Sequence, residues 1–116
     1  MAMNPIGLSR EQCVEALNVY SAQIDAIIES IINQDAKHAL DTFRALKQRV
    51  YEDGDVRARI VTPNKMSTVE EALFLPAVLQ IRLDLALIEE GAIRNWPLNL
   101  LAAQRTIEEF VAELVL

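Results

Sequence analysis

The sequence predicts an all-α, four-helix bundle-like domain, and three observations support that prediction. Near both ends of the chain, apolar residues recur at alternating spacings of three and four. This spacing places apolar side chains along one face of a helix, where another helix can cover them. Signals for helix starts occur at several points, and the chain holds only three glycines. We therefore expect helices packed on helices in one domain, residues 1–116.

The first predicted helix spans residues 10–32. Ser9 and Gln12 form an S-x-x-Q capping box, in which each side chain satisfies a free backbone N–H of the other residue. The polar residues 33–35 are expected to end the helix. Its apolar seam consists of Cys13, Leu17, Tyr20, Ile24, Ile27 and Ile31.

The second predicted helix spans residues 35–52, with Asp35 as its N-cap. Gly54 lies just beyond, where a left-handed residue commonly ends a helix. The short link between the first two helices predicts an antiparallel hairpin. The apolar face of the second helix consists of Ala36, Leu40, Phe43, Leu46 and Val50.

A short extended connector is predicted near residues 56–61, because apolar and basic residues alternate there with the period of a strand. Its basic members are Arg57 and Arg59, which are candidates for binding a carboxylate or phosphate of a partner. They belong to a locally basic stretch, residues 44–65, in an otherwise acidic chain.

The third predicted helix spans residues 68–90, and its sequence contains two difficulties. Pro76 lies within the apolar run, so we expect a kink there or a break with a restart. Residues 79–87 alternate leucine or isoleucine with other residues, a period typical of a strand. Composition and length favour a helix instead, because leucine and alanine dominate. We predict a helix that is buried on several sides and ends at Gly91.

The fourth predicted helix spans residues 97–115, with Pro97 in its first turn, where a missing N–H costs nothing. Its seam consists of Leu100, Ala103, Ile107, Phe110 and Leu114. The apolar end of this helix has no polar cap. We therefore expect that end either to pack on another surface or to fray.

No pattern in the chain indicates catalysis, a metal site or a cofactor. One histidine and one cysteine cannot form a zinc cluster, and no glycine-rich loop is present to bind phosphates. We therefore expect no cofactor and no enzyme activity. Cys13 is predicted to be a small core residue without an internal disulfide, which favours a reducing, cytoplasmic location. No signal peptide or membrane span is expected.

The net charge of the chain is -6, with 17 acidic and 11 basic residues. An acidic protein is not generally attracted to nucleic acid or to anionic membranes, so we expect neither as a partner.

His38 gives rise to an alternative hypothesis. The sequence Lys37-His38-Ala39-Leu40 falls on the second predicted helix and resembles histidine phosphotransfer domains, which are helical bundles of similar size. The resemblance implies that His38 accepts a phosphoryl group. The family usually has lysine three residues after its histidine and glycine at the fourth, whereas this chain has Asp41 and Thr42.

Protein binding is the function that the sequence favours, because the chain is rich in apolar residues for its length. We expect a small interaction module of adaptor, chaperone or inhibitor type that forms a homodimer. A further alternative is an immunity or antitoxin protein that covers a basic enzyme. The candidate contact residues are Arg57, Arg59, Trp96, Phe110 and Leu114. For Trp96, a role in closing one end of the bundle competes with a role as a ligand anchor.

Overall fold

A computed structural model of the chain describes residues 9–55, 73–91 and 95–115. These residues form four helices and no strand, which confirms the predicted all-α, four-helix bundle-like fold. The predicted connector near 56–61 and the predicted start of the third helix at residue 68 lie outside the described residues. The helices are α1 (Arg10–Ile32), α2 (Ala36–Asp55), α3 (Leu75–Ala86) and α4 (Trp96–Val115).

The four helices pack in the cyclic order α1, α2, α3, α4, and α4 returns to pack on α1. Polar contacts show that α1 and α4 are antiparallel: Gln104 Nε2 donates to Asp25 Oδ1 at 2.6 Å, and Arg10 Nη1 donates to the Leu114 carbonyl at 2.7 Å. Because each helix packs mainly on its two neighbours in this cycle, α1 and α3 occupy diagonal corners of the bundle.

The start of α1 has the geometry that its sequence predicts. The Gln12 N–H donates to Ser9 Oγ at 3.1 Å, and the Ser9 N–H donates to Gln12 Oε1 at 2.9 Å. Both bonds of the capping box are therefore present, and they satisfy two of the backbone donors that a helix start leaves free.

The link between α1 and α2 reverses the chain in three residues. Gln34 has a positive φ of 61°, and its N–H donates to the Ile31 carbonyl at 3.0 Å. The Asp35 N–H donates to the Ser30 carbonyl at 2.8 Å, which completes a Schellman motif. Asp35 Oδ1 then accepts the His38 N–H at 3.1 Å, so the predicted N-cap of α2 is confirmed.

The end of α2 differs from the prediction. The helix continues to Asp55, so Gly54 lies within its last turn rather than beyond it. The buried Tyr20 hydroxyl of α1 donates a hydrogen bond to the Asp53 carboxylate. This contact fastens the last turn of α2 to α1, which explains why glycine does not end the helix where its local preference would.

α3 is shorter than predicted at its carboxyl end. It begins at Leu75, after a π-helical turn, and Pro76 lies in its first turn. The helix ends at Ala86 rather than near Gly91, because the Ile88 N–H bonds to Leu85 in a tighter turn. The helical prediction for the alternating segment is thus confirmed. A kink at Pro76 depends partly on preceding residues that lie outside the described part of the chain.

The apolar end of α4 is packed and also capped. Leu114 is fully buried, and the guanidinium of Arg10 reaches its carbonyl oxygen. A cation at the carboxyl end of a helix satisfies a free carbonyl and interacts favourably with the helix dipole. The cap at the carboxyl end of α4 is therefore supplied by Arg10, which is distant in the sequence. Within the described residues, no helix is both long and apolar enough to cross a membrane.

Candidate protein-interaction surface

The alternating segment of α3 produces two opposite leucine-rich faces. Residues four apart share one side of a helix, whereas residues two apart lie about 200° around the axis. Ile81 and Leu85 are fully buried in the core. The intervening Leu79, Leu83 and Leu87 point to solvent, with exposed fractions of 40%, 62% and 71%. The expectation that this helix is buried on several sides is therefore wrong, since one face alone enters the core.

Charged side chains do not interrupt the outer face of α3. The Arg82 guanidinium lies over the Tyr51 ring, 4.3 Å from its centroid, on the side facing α2. Asp84 accepts a hydrogen bond from Thr106 Oγ1 at 3.3 Å, on the side facing α4. Both charges thus lie at the flanks of α3. Between them the exposed residues are uncharged: Leu79, Gln80, Leu83, Ala86 and Leu87.

Two further exposed leucines lie on α4. Leu98 is 77% exposed and Leu101 is 54% exposed, and both lie off the apolar seam of that helix. A shallow groove of about 340 Å³ extends from these two leucines to Asp84 of α3. We call the outer surface formed by Leu79, Leu83, Leu87, Leu98 and Leu101 the leucine face.

Trp96 fixes the turn between α3 and α4 against α2. Its side chain is 1% exposed, and its ring centroid lies 4.8 Å from that of Phe43. The indole Nε1 donates to the Glu89 carbonyl at 2.7 Å. Trp96 therefore belongs to the core at one end of the bundle.

An exposed ion pair adds a second link between α2 and the end of α3. Arg44 donates to both carboxylate oxygens of Glu90, from Nε at 3.1 Å and from Nη2 at 2.8 Å. The hydrogen bond from Arg44 and its positive charge lower the pKa of Glu90, and the same contacts raise the pKa of Arg44. Because the pair is in water, its main effect is to orient the turn rather than to stabilise the fold.

The other predicted contact residues do not form one site. Leu114 is buried, and Phe110 is half-buried against the core. Trp96 and Leu114 are core residues, although Leu114 also lines a groove between α1 and α4, and Phe110 borders a shallow depression on α4. Arg57 and Arg59 lie outside the described residues.

His38 is exposed in the first turn of α2, immediately after the N-cap. Asp41, also exposed, follows it by three residues and therefore shares its side of the helix. No part of the leucine face lies on α2.

Sequence reasoning missed the leucine face, although a signal was present. A period of two, once it is placed on a helix, must leave alternate leucines on opposite sides. Leu98 and Leu101 are likewise apolar residues outside the seam of α4. Among the described residues, no group of three or more His, Cys, Asp or Glu side chains is arranged to hold a metal ion.

The leucine face thus groups five exposed leucines on two helices that pack on each other. No protein-family profile, curated protein or solved structure matches the chain.

Proposed function

We propose that this chain is a small cytoplasmic protein–protein interaction module of adaptor, chaperone or inhibitor type, and that it self-associates through the leucine face. The proposal includes no cofactor and no nucleic-acid or membrane partner. The cysteine content supports the cytoplasmic assignment, because a chain with one cysteine cannot form an internal disulfide.

The observation that carries the proposal is the exposure of five leucines on two adjacent helices, with exposed fractions from 40% to 77%. Burying one leucine side chain contributes about 1.5–3 kcal/mol. Scattered apolar residues on a surface are ordinary, but several exposed leucines grouped on two neighbouring helices are typical of an interface.

The charge distribution bears on where two copies of the chain would meet. Two copies that each carry a net charge of -6 repel one another. In a two-fold symmetric contact, each residue meets the same surface on the other copy. The outer strip of α3 is uncharged, so two copies can approach there with the least repulsion between like charges.

Replacing one leucine at the centre of this face tests the proposal. We predict that Leu83→Lys abolishes the dimer, since a symmetric contact loses the leucine twice and places two cations together. The loss of the two leucines alone amounts to about 3–6 kcal/mol. Ile32→Lys is the matched control, because Ile32 is 73% exposed at the end of α1, outside the leucine face. Light scattering coupled to size exclusion measures the mass of each variant.

The dimer should persist in Ile32→Lys and be lost in Leu83→Lys, with both variants still helical by circular dichroism. Equal loss of the dimer in the two variants would refute a specific role for the leucine face. A monomeric wild-type chain at high concentration would refute self-association and would leave a different protein as the partner of this surface.

A further inference from the structure

A second apolar surface lies where α1 begins and α4 ends. A groove of about 650 Å³ runs between these two helix ends. Val14 and Ala22 of α1 and Leu114 and Val115 of α4 supply its apolar lining. Val115 is 66% exposed, so apolar surface in this groove is open to water.

Carboxylates border the groove and continue along α1. Glu11 and Glu15 line it directly. The exposed Asp25 and Glu29 continue the acidic stripe toward the other end of the helix. The spacing from Glu11 to Glu15 and from Asp25 to Glu29 is four residues, at which like charges repel one another on a helix.

Basic residues on α1 do not balance this stripe. Arg10 is the one basic residue within Arg10–Ile32, and its guanidinium donates to the Leu114 carbonyl of α4. The groove therefore combines an apolar floor with a rim that carries two carboxylates and one guanidinium, and that guanidinium, from Arg10, is bonded to the Leu114 carbonyl. A partner that matches both features needs an apolar stripe flanked by cations.

We propose that the groove between α1 and α4 binds a cationic amphipathic helix of a partner protein. Apolar side chains of that helix pack on Val14 and Val115, and its lysines or arginines contact Glu11 and Glu15. This mode of recognition places the apolar face of a helix in a groove and uses charge to select the partner.

This inference does not depend on the proposed self-association. The groove involves the α1 corner of the bundle, which is diagonal to the α3 corner that carries most of the leucine face. Along α4, Val115 lies 14 residues after Leu101, or about 21 Å along the axis. A dimer formed through the leucine face would leave both grooves accessible.

A designed peptide tests the groove directly. The probe is an amphipathic helix of about five turns, made of leucine and lysine at alternating spacings of three and four. Its control has the same composition in an order without an apolar face. Titration calorimetry with the full chain should give one amphipathic peptide per chain, and the scrambled peptide should bind at least about tenfold more weakly.

Two double variants distinguish the charge of the groove from the overall negative charge of the chain. Glu11→Gln with Glu15→Gln should weaken binding about tenfold and reduce its dependence on salt. Glu52→Gln with Glu109→Gln removes the same charge elsewhere and should leave binding unchanged. Val115→Lys should also weaken binding, because it places a cation in the groove at an exposed position that the fold tolerates.

The outcomes also distinguish this inference from self-association. Binding of the cationic helix should weaken as salt increases, whereas an uncharged contact between two acidic copies should strengthen slightly. Equal binding of the amphipathic and scrambled peptides would overturn the inference. So would an equal loss of peptide affinity in the two double variants. So would loss of the dimer in Val115→Lys, because the groove would then be occupied by a second copy of the chain.

Discussion

Trp96 shows how one side chain can join three parts of this fold. Its ring packs against Phe43 of α2, its indole N–H binds the Glu89 carbonyl, and its backbone begins α4. The sequence places Trp96 at a helix start but leaves its role open between core and ligand contact. The side chain has an exposed fraction of 1%, so Trp96 is a core residue.

Truncating this residue should therefore destabilise the fold. We predict that Trp96→Ala lowers the free energy of unfolding by about 3–5 kcal/mol, the cost of a large cavity. Trp96→Phe keeps much of the ring packing but leaves the Glu89 carbonyl without its donor, so it should cost about 1–3 kcal/mol. Ile32→Ala, which truncates an exposed side chain, should cost no more than about 0.5 kcal/mol.

Urea unfolding followed by circular dichroism measures these free energies without depending on tryptophan fluorescence. A Trp96→Ala variant as stable as Ile32→Ala would show that Trp96 is not part of the core.

At the scale of the element, local signals predict the capped starts of α1 and α2 but misjudge the ends of α2 and α3. The cap of α1 at Ser9 and that of α2 at Asp35 form as predicted, because a cap involves only residues three or four apart. The end of α2 is misjudged because Tyr20, more than thirty residues earlier, bonds to Asp53. The alternating sequence of α3 is ambiguous for a related reason. It does not show which leucines are buried, because that depends on how α2 and α4 pack against the helix.

The cap at the end of α4 gives a prediction at this scale. Arg10→Met keeps an apolar stem but removes the donor to the Leu114 carbonyl, so it should lower the free energy of unfolding by about 1 kcal/mol. Arg49→Met on α2, also an exposed arginine, is the control.

Hydrogen exchange measured on peptic fragments should show faster exchange confined to the last turn of α4 in Arg10→Met. Unchanged protection of that turn would indicate that packing of Leu114 alone holds it.

At the scale of the whole molecule, the proposed function rests on which surfaces the bundle leaves uncovered. The sequence predicts four helices and their seams, but not which apolar residues remain outside. Leu83 and Leu85 are chemically identical, and only the packing of α3 between α2 and α4 makes one exposed and the other buried. The leucine face and the groove between α1 and α4 therefore emerge from the assembled bundle, and on α4, the helix they share, they are about 21 Å apart along the axis.

Sedimentation velocity of the unmodified chain over about a hundredfold range of concentration tests the central claim most directly. Self-association through the leucine face predicts that the weight-average mass rises from that of one chain to that of two, and that Leu83→Lys remains a monomer throughout. A monomer at every concentration, or a dimer that Leu83→Lys leaves unchanged, would contradict the account.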